Sequence, residues 1–183
     1  MKKFLGIVLS LGLVLGLAGC GNKTEPTSTS PVDTSNIKMG KVEYAAHGTK
    51  CFTIAVATVS GDTIVGAYLD DYQFMSTDVA KGVPNADKDF GKGFADPKNV
   101  LASKKANTEY YNKNMKEKGN ATTPVEDSLA AIEKYVTGKT VADLEKVLKD
   151  TSNEKMVDTV SGATLVDTKG YVSALVEAAK AAK

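Results

Sequence analysis

Arginine and tryptophan are absent from this chain of 183 residues, histidine occurs once, at His47, and cysteine twice, at Cys20 and Cys51. Without arginine there is no bidentate guanidinium clamp for phosphates or nucleic acid. One histidine and two cysteines exclude a zinc cluster of the usual ligand spacing, so no metal is expected. The same shortage argues against a histidine-dependent hydrolase, because no serine lies in a nucleophile-elbow motif.

Charge of one sign is lacking too: 23 lysines face 22 acids, for a net charge of +1. Cleavage before Cys20 would remove Lys2 and Lys3, leaving 21 lysines, 22 acids and a net charge of −1. No basic stripe remains, and nucleic acid is not an expected partner. At 42% hydrophobic and 25% charged residues the chain is ordinary globular material. Its length suits one core rather than two large domains.

The chain starts Met1, Lys2, Lys3 and continues with an apolar stretch over residues 4–17, a short basic start and a core too short to span a bilayer comfortably. Leu17, Ala18, Gly19 and Cys20 follow. This resembles the bacterial lipobox, a leucine, two small residues and a cysteine that receives diacylglycerol before cleavage in front of it. Residues 1–19 are therefore expected to be a lipoprotein signal peptide and Cys20 the lipidation site. Cys51 then has no intramolecular disulfide partner and reads as a small buried strand residue. Residues 20–36 are rich in Thr, Ser, Pro and Asn. Such a segment buries too little surface to fold, and about 16 flexible residues reach on the order of 20 Å.

Beyond the tether, residues 41–46, 51–59 and 63–69 are rich in β-branched and aromatic residues and partly alternate. Turn-like residues 47–50 and 60–62 separate them, which predicts three antiparallel strands. Asp70, Asp71, Tyr72, Gln73, Phe74 and Met75 then read as the end of the third strand. Residues 76–96, with Gly82, Pro84, Gly91 and Gly93, read as an irregular insertion. Asp96-Pro97 predicts a helix N-terminus, with the helix running through Val100, Leu101, Tyr110, Tyr111 and Met115 to Gly119, with a break possible near Ala106 and Asn107. The two tyrosines read as packing.

Thr123, Pro124 and Glu126 have the spacing of a capping box opening a helix with Val125, Leu129, Ile132 and Val136 on one face. Thr140 is expected to cap a second helix with Val141, Leu144, Val147 and Leu148 inward. Neither helix carries evident chemistry. Met156 and Val157 predict a short strand. Thr168 opens a last helix to about Ala182, anchored by Val172, Leu175, Val176 and Ala179. The fold class expected is α+β: a small antiparallel sheet of about three to five strands packed with four or so helices, in a single domain over residues 37–183.

Between that strand and the last helix lie Asp158, Ser161, Gly162, Ala163, Thr164 and Leu165. The small side chains leave the backbone and the Thr164 hydroxyl open to approach. Glycine permits positive φ, and a loop entering a helix presents unpaired N–H groups and the positive dipole end to an anion such as phosphate. Asp158, Ser161, Gly162, Ala163 and Thr164 resemble the hallmark of the FMN-binding domain family, found in the sodium-pumping NADH:quinone reductase, related membrane redox complexes and bacterial surface flavoproteins. The hallmark is an Asp, a short spacer, then Ser/Thr-Gly-Ala-Thr.

The resemblance implies FMN joined through its phosphate to Thr164 by a separate flavin transferase that draws it from FAD, with Asp158, Ser161, Gly162, Ala163 and Leu165 around it. The chain is then a substrate of that transferase rather than an enzyme, with any reductase activity of its own left open. Tyr72, Gln73 or Phe74 could line the isoalloxazine, and His47 is either a turn residue or a flavin neighbour. Residues 59–63 echo the motif, but Asp62 stands where the motif has Ala and would repel a phosphate, so they read as a hairpin turn. The function implied is a lipid-anchored electron carrier on the outer face of the cytoplasmic membrane. Its partners would be membrane lipid, the flavin transferase, a quinone-linked electron donor and an extracellular acceptor. The alternatives are a solute-binding or structural surface lipoprotein without flavin, and a signalling role for residues 11–18 of the released leader.

Overall fold

The computed structural model describes residues 36–48, 51–83, 96–119 and 121–183. The leader, Cys20 and the tether up to residue 35 lie outside the described residues, as do Pro84, Gly91 and Gly93 of the expected insertion. The described residues all belong to one compact unit, Pro31–Lys183.

The chain is α+β. Four antiparallel strands, β1 (Ile37–Tyr44), β2 (Cys51–Ser60), β3 (Thr63–Ser76) and β4 (Asn99–Ser103), form a meander in sequence order. Five helices follow: α1 (Thr108–Gly119), α2 (Val125–Val136), α3 (Val141–Asp150), α4 (Asn153–Thr159) and α5 (Thr168–Lys180). A single 3-10 turn, Lys105–Asn107, joins β4 to α1.

Alternation in β2 decides which face is covered. Thr53, Ala55, Ala57 and Val59 are buried while their neighbours are half-exposed, as period-2 geometry requires. Two of these residues are alanines, so the sheet is shallow there and α5 settles against β2 and β1. Tyr171, Val172, Ala174, Leu175, Val176 and Ala178 form its buried face, each 1% exposed or less. Replacing one of the larger of these with alanine would cost about 2–5 kcal/mol. Helix α2 packs on β3, with Val125, Leu129, Ile132 and Val136 fully buried, and α3 and α4 pack on α5.

Two local expectations are corrected. The run from Asp70 to Met75 is the end of β3, as read, and Tyr72–Ser76 there pair with Ser103–Asn99 of β4. That pairing also turns residues 99–103 into a strand where Asp96-Pro97 suggests a helix. Asp96 accepts the Lys98 N–H on its side chain (2.9 Å) and the Asn99 N–H on its carbonyl (3.1 Å), so the signal is one of a turn. Met156 and Val157 lie in helix α4, capped by Ser152, whose hydroxyl accepts from the Lys155 N–H. A seven-residue segment with Glu154, Lys155 and a fully buried Met156 favours a helical turn on α5 over a strand with no neighbour.

A third difference concerns the start of α2. Pro124 is the cap residue and no side-chain capping bond forms, so Thr123 and Glu126 do not make the reciprocal box. Asn112 of α1 does the work from outside: its carbonyl oxygen accepts the Val125 N–H (2.7 Å) and its amide donates to Glu126 (2.9 Å). Thr140 does cap α3, accepting from the Asp143 N–H at 3.1 Å.

Beyond the reach of β4, the edge of β3 is closed by other means. Ile64 exchanges main-chain hydrogen bonds with Lys139 and Gly138 (3.0 and 2.7 Å), and the Leu69 N–H donates to Glu133 of α2 (2.8 Å). A long strand is thereby kept from offering free groups to another chain.

Candidate functional site

Two adjacent acids on β3 are buried, Asp70 at 3% and Asp71 at 1% exposure. Charges so placed need partners, and the turn after β4 delivers them. Asp70 accepts from the Ser103 hydroxyl and from the Asp71 and Lys105 N–H groups. Asp71 takes the Thr53 hydroxyl (2.5 Å), the Tyr171 hydroxyl (3.1 Å) and the Lys104 ammonium (2.9 Å). Lys104 also donates to Tyr171 at 3.0 Å, and its Nζ lies 5.4 and 5.7 Å from the ring centroids of Tyr111 and Tyr171. Burial, followed by the charge of Asp71, pushes both phenols well above their ordinary range, so both remain protonated donors.

Lys104, Tyr111 and Tyr171 of this cluster form one wall of a cavity of about 250 Å³. Tyr111, Met115 and Leu165 give it apolar surface, and Gln73, Lys104 and Thr164 bring polar groups to it. The Gln73 amide donates to the Tyr111 hydroxyl, which in turn donates to Met75 Sδ (3.7 Å). A few convergent polar groups on an otherwise apolar lining is the usual make-up of a small-molecule site. A wider hollow, about 640 Å³, between residues 77–81 and 106–113 holds none of the motif residues.

The opposite lip of the cavity is the loop between α4 and α5. Gly162 there has φ of +91°, and a Cβ on it would stand 3.3 Å from Ala131 Cβ of α2. Glycine is what lets the loop turn so close to α2. Ala163 and Leu165 are buried while Thr164 between them is exposed. Its hydroxyl therefore stands at the cavity rim, 3.2 Å from the buried Ser128 hydroxyl of α2. Gly170 makes a second close approach: a Cβ on it would meet the Ala46 carbonyl oxygen at 2.3 Å. That contact brings the residues after β1 against α5, where His47 Nδ1 bonds the Asp167 carboxylate at the cavity mouth.

Of the residues singled out in sequence, Thr164, Leu165, Gln73 and His47 meet around this cavity. Ser161 and Gly162 form the turn that leads into it, with Ala163 packed in the core. Asp158 is exposed on α4 and does not line the cavity. Tyr72 and Phe74 flank Gln73 on the strand and so face the other side of the sheet, where Tyr72 stacks on Phe52 (centroids 5.5 Å apart, planes at 13°) and Phe74 is 57% exposed. The echo at residues 59–63 spans the β2–β3 hairpin turn.

Lys104, Asp71, Tyr111, Tyr171, Ser128 and Asp167 were not singled out for the site by sequence reasoning. A signal existed for Ser128 and Tyr171, each a polar residue on an otherwise apolar helical face. None existed for Lys104, one of 23 lysines until the fold buries it. Compared with known proteins, the chain matches no family model, no curated protein and no solved structure.

Proposed function

We propose that this chain is a surface lipoprotein of the FMN-binding domain type, anchored through Cys20, which carries FMN as a phosphoester on Thr164 and relays electrons from a quinone-linked membrane donor to an extracellular acceptor. The observation that carries the reading is the exposed Thr164 hydroxyl, held at the rim of a part-apolar cavity by a loop with the Ser-Gly-Ala-Thr sequence. The lining suits a flat heteroaromatic ring bearing carbonyl and nitrogen edges. Tyr111, Met115 and Leu165 would be its walls, and the Gln73 amide and Lys104 ammonium the donors to its edge. When bound, the flavin would supply one- and two-electron chemistry.

The chain's own residues do the rest. Thr164 supplies the acceptor oxygen, which Val or Ala lacks. Buried Lys104 and Asp71 form a nearly neutral pair beside the ring site, so charge there is fixed by the fold and screened little by salt. Tyr72 and Phe74 have no part in this reading, since both lie across the sheet from the cavity. A covalent bond suits a protein working outside the cell, because retention no longer depends on free ligand exceeding a dissociation constant. The leader and tether would fix where the group works, within on the order of 20 Å of the membrane.

The test is to express the chain with a flavin transferase and measure intact mass. The expected protein is yellow, keeps its colour after denaturation, and is heavier by one FMN less water. Thr164→Val removes that increment. A Thr164→Val form that is modified as fully as the parent overturns the attachment site, and a colourless parent beside an active transferase overturns the function.

A further inference from the structure

Ser128 lies on α2 and is fully buried among apolar neighbours, with Val125, Leu129 and Ile132 on the same face. A hydroxyl there is costly unless bonded. A helical serine commonly bonds back to the carbonyl one turn earlier, yet among the described residues the Ser128 hydroxyl has a different partner. It meets the Thr164 hydroxyl at 3.2 Å and receives the Thr164 N–H at 3.4 Å. Both contacts go to one residue, main chain and side chain together.

A serine hydroxyl has one proton and two lone pairs. With one lone pair taken by the Thr164 N–H, Ser128 can still either donate its proton to the free Thr164 hydroxyl or accept from it across the 3.2 Å contact. An esterified Thr164 oxygen has no proton and can only accept, and Ser128 still has a proton to donate to it. A backbone carbonyl in the same place would serve the free hydroxyl and oppose the ester oxygen. A hydroxyl serves both.

We propose that Ser128 is the positioning residue for the acceptor threonine: it holds Thr164 Oγ1 at the cavity rim for transfer and is its donor once the phosphoester has formed. This rests on the reading of Thr164 as the attachment point. In the transfer, Thr164 Oγ1 forms a bond to the FMN-side phosphorus of FAD and the bridging phosphorus–oxygen bond breaks. AMP leaves with the bridging oxygen, and the threonine proton passes to a base of the transferase. No electron is transferred.

The experiment follows attachment by intact mass in the detergent-solubilised full chain, with purified flavin transferase, FAD and magnesium. Wild type, Ser128→Ala, Ser128→Cys and Thr164→Val are compared, each with its thermal midpoint. Ser128→Ala is expected to react roughly 10- to 100-fold more slowly at saturating protein, with KM for the chain little changed, because the loop surface is intact and only the oxygen is less well held. Ser128→Cys, a weaker donor of similar size, falls between. Equal rates for wild type and Ser128→Ala overturn the proposal while leaving Thr164 as the attachment point. A slowing that disappears when rates are divided by folded fraction also overturns it, since Ser128 is then only a structural clamp. If wild type is unmodified while the transferase loads its own natural substrate, the flavin reading and this proposal fall together.

Discussion

Lys104 is tied to Asp71 twice: its main-chain N–H donates to the Asp71 carbonyl at 2.7 Å, and its ammonium stands 2.9 Å from the Asp71 carboxylate, at 6% and 1% side-chain exposure. The first bond continues the pairing of β3 with β4 into the turn. The second places a full charge pair beneath the cavity floor. Removing one member leaves the other as a buried, uncompensated charge, which costs about 3–5 kcal/mol. Lys104→Met is expected to lose that much in urea unfolding. Adding Asp71→Asn to it should restore a good part, because the amide oxygen can keep the Thr53 donation while the amide NH2 donates to the Tyr171 hydroxyl oxygen that Lys104 no longer occupies. A double variant no more stable than Lys104→Met would show that packing, and not charge pairing, holds the site.

Gly162 sets the path of the motif loop, and its φ of +91° lies where a side chain is strained. Gly162→Ala adds that strain to a 3.3 Å approach to Ala131. The expected loss is about 1–2 kcal/mol, with the larger effect on flavin attachment, since displacing the loop carries Thr164 away from Ser128. An unchanged thermal midpoint together with unchanged loading by mass spectrometry would contradict this.

The α+β class, the two hairpins and the apolar faces of α2, α3 and α5 were legible because each rests on a local period. What failed to be legible depended on distant partners. Asn99–Ser103 is a strand only because β3 is there to pair with it, and Asp96-Pro97 serves a turn as readily as a helix cap. Asn112 replaces a capping box through a contact 13 residues away. The motif loop could be read as a loop, and four site residues drawn from sequence do meet at one cavity. Its floor could not be read: Asp71 looks like part of a solvated strand end until Lys104 folds over it. Strand parity separates Gln73 from Tyr72 and Phe74, and that register was the missing step.

High pH is expected to destabilise the fold, and the sign follows from three groups. Burial, with the charge of Asp71 next, pushes the Cys51 thiol above its ordinary value, and the same two causes raise Tyr111 and Tyr171. The folded state then keeps protons that the unfolded chain releases, so stability is present below the unfolded values and is lost as pH rises through them. The loss begins near the ordinary thiol value of about 8.5 and steepens near the tyrosine value of about 10. Urea midpoints at pH 7, 9 and 10.5 should fall in that order. Because the thiolate is the reactive form, Cys51 should also be alkylated more slowly than glutathione at pH 8. Reaction at the glutathione rate, read at the Cys51 peptide, would show the thiol to be unshifted.

Asn112 joins α1 to the first turn of α2 by accepting the Val125 N–H and donating to Glu126. It stands in for a cap that Pro124 cannot provide, since proline has neither a side-chain acceptor nor an N–H. Asn112→Ala leaves the Val125 N–H without its acceptor and should cost about 1 kcal/mol, the usual value of a lost N-cap. The consequence for function follows from geometry: α2 carries Ser128 one turn on from Val125, so fraying of that turn loosens the hydroxyl that meets Thr164. Amide exchange at Val125, Glu126 and Ser128 should speed up in Asn112→Ala while α5 stays protected, and flavin attachment should slow. Asn112→Asp keeps the acceptor but loses the donor to Glu126, setting two acids together, and should recover the exchange protection of Val125 only in part. If attachment in Asn112→Ala matched wild type while α2 frayed, order in the first turn of α2 would be irrelevant to the acceptor threonine.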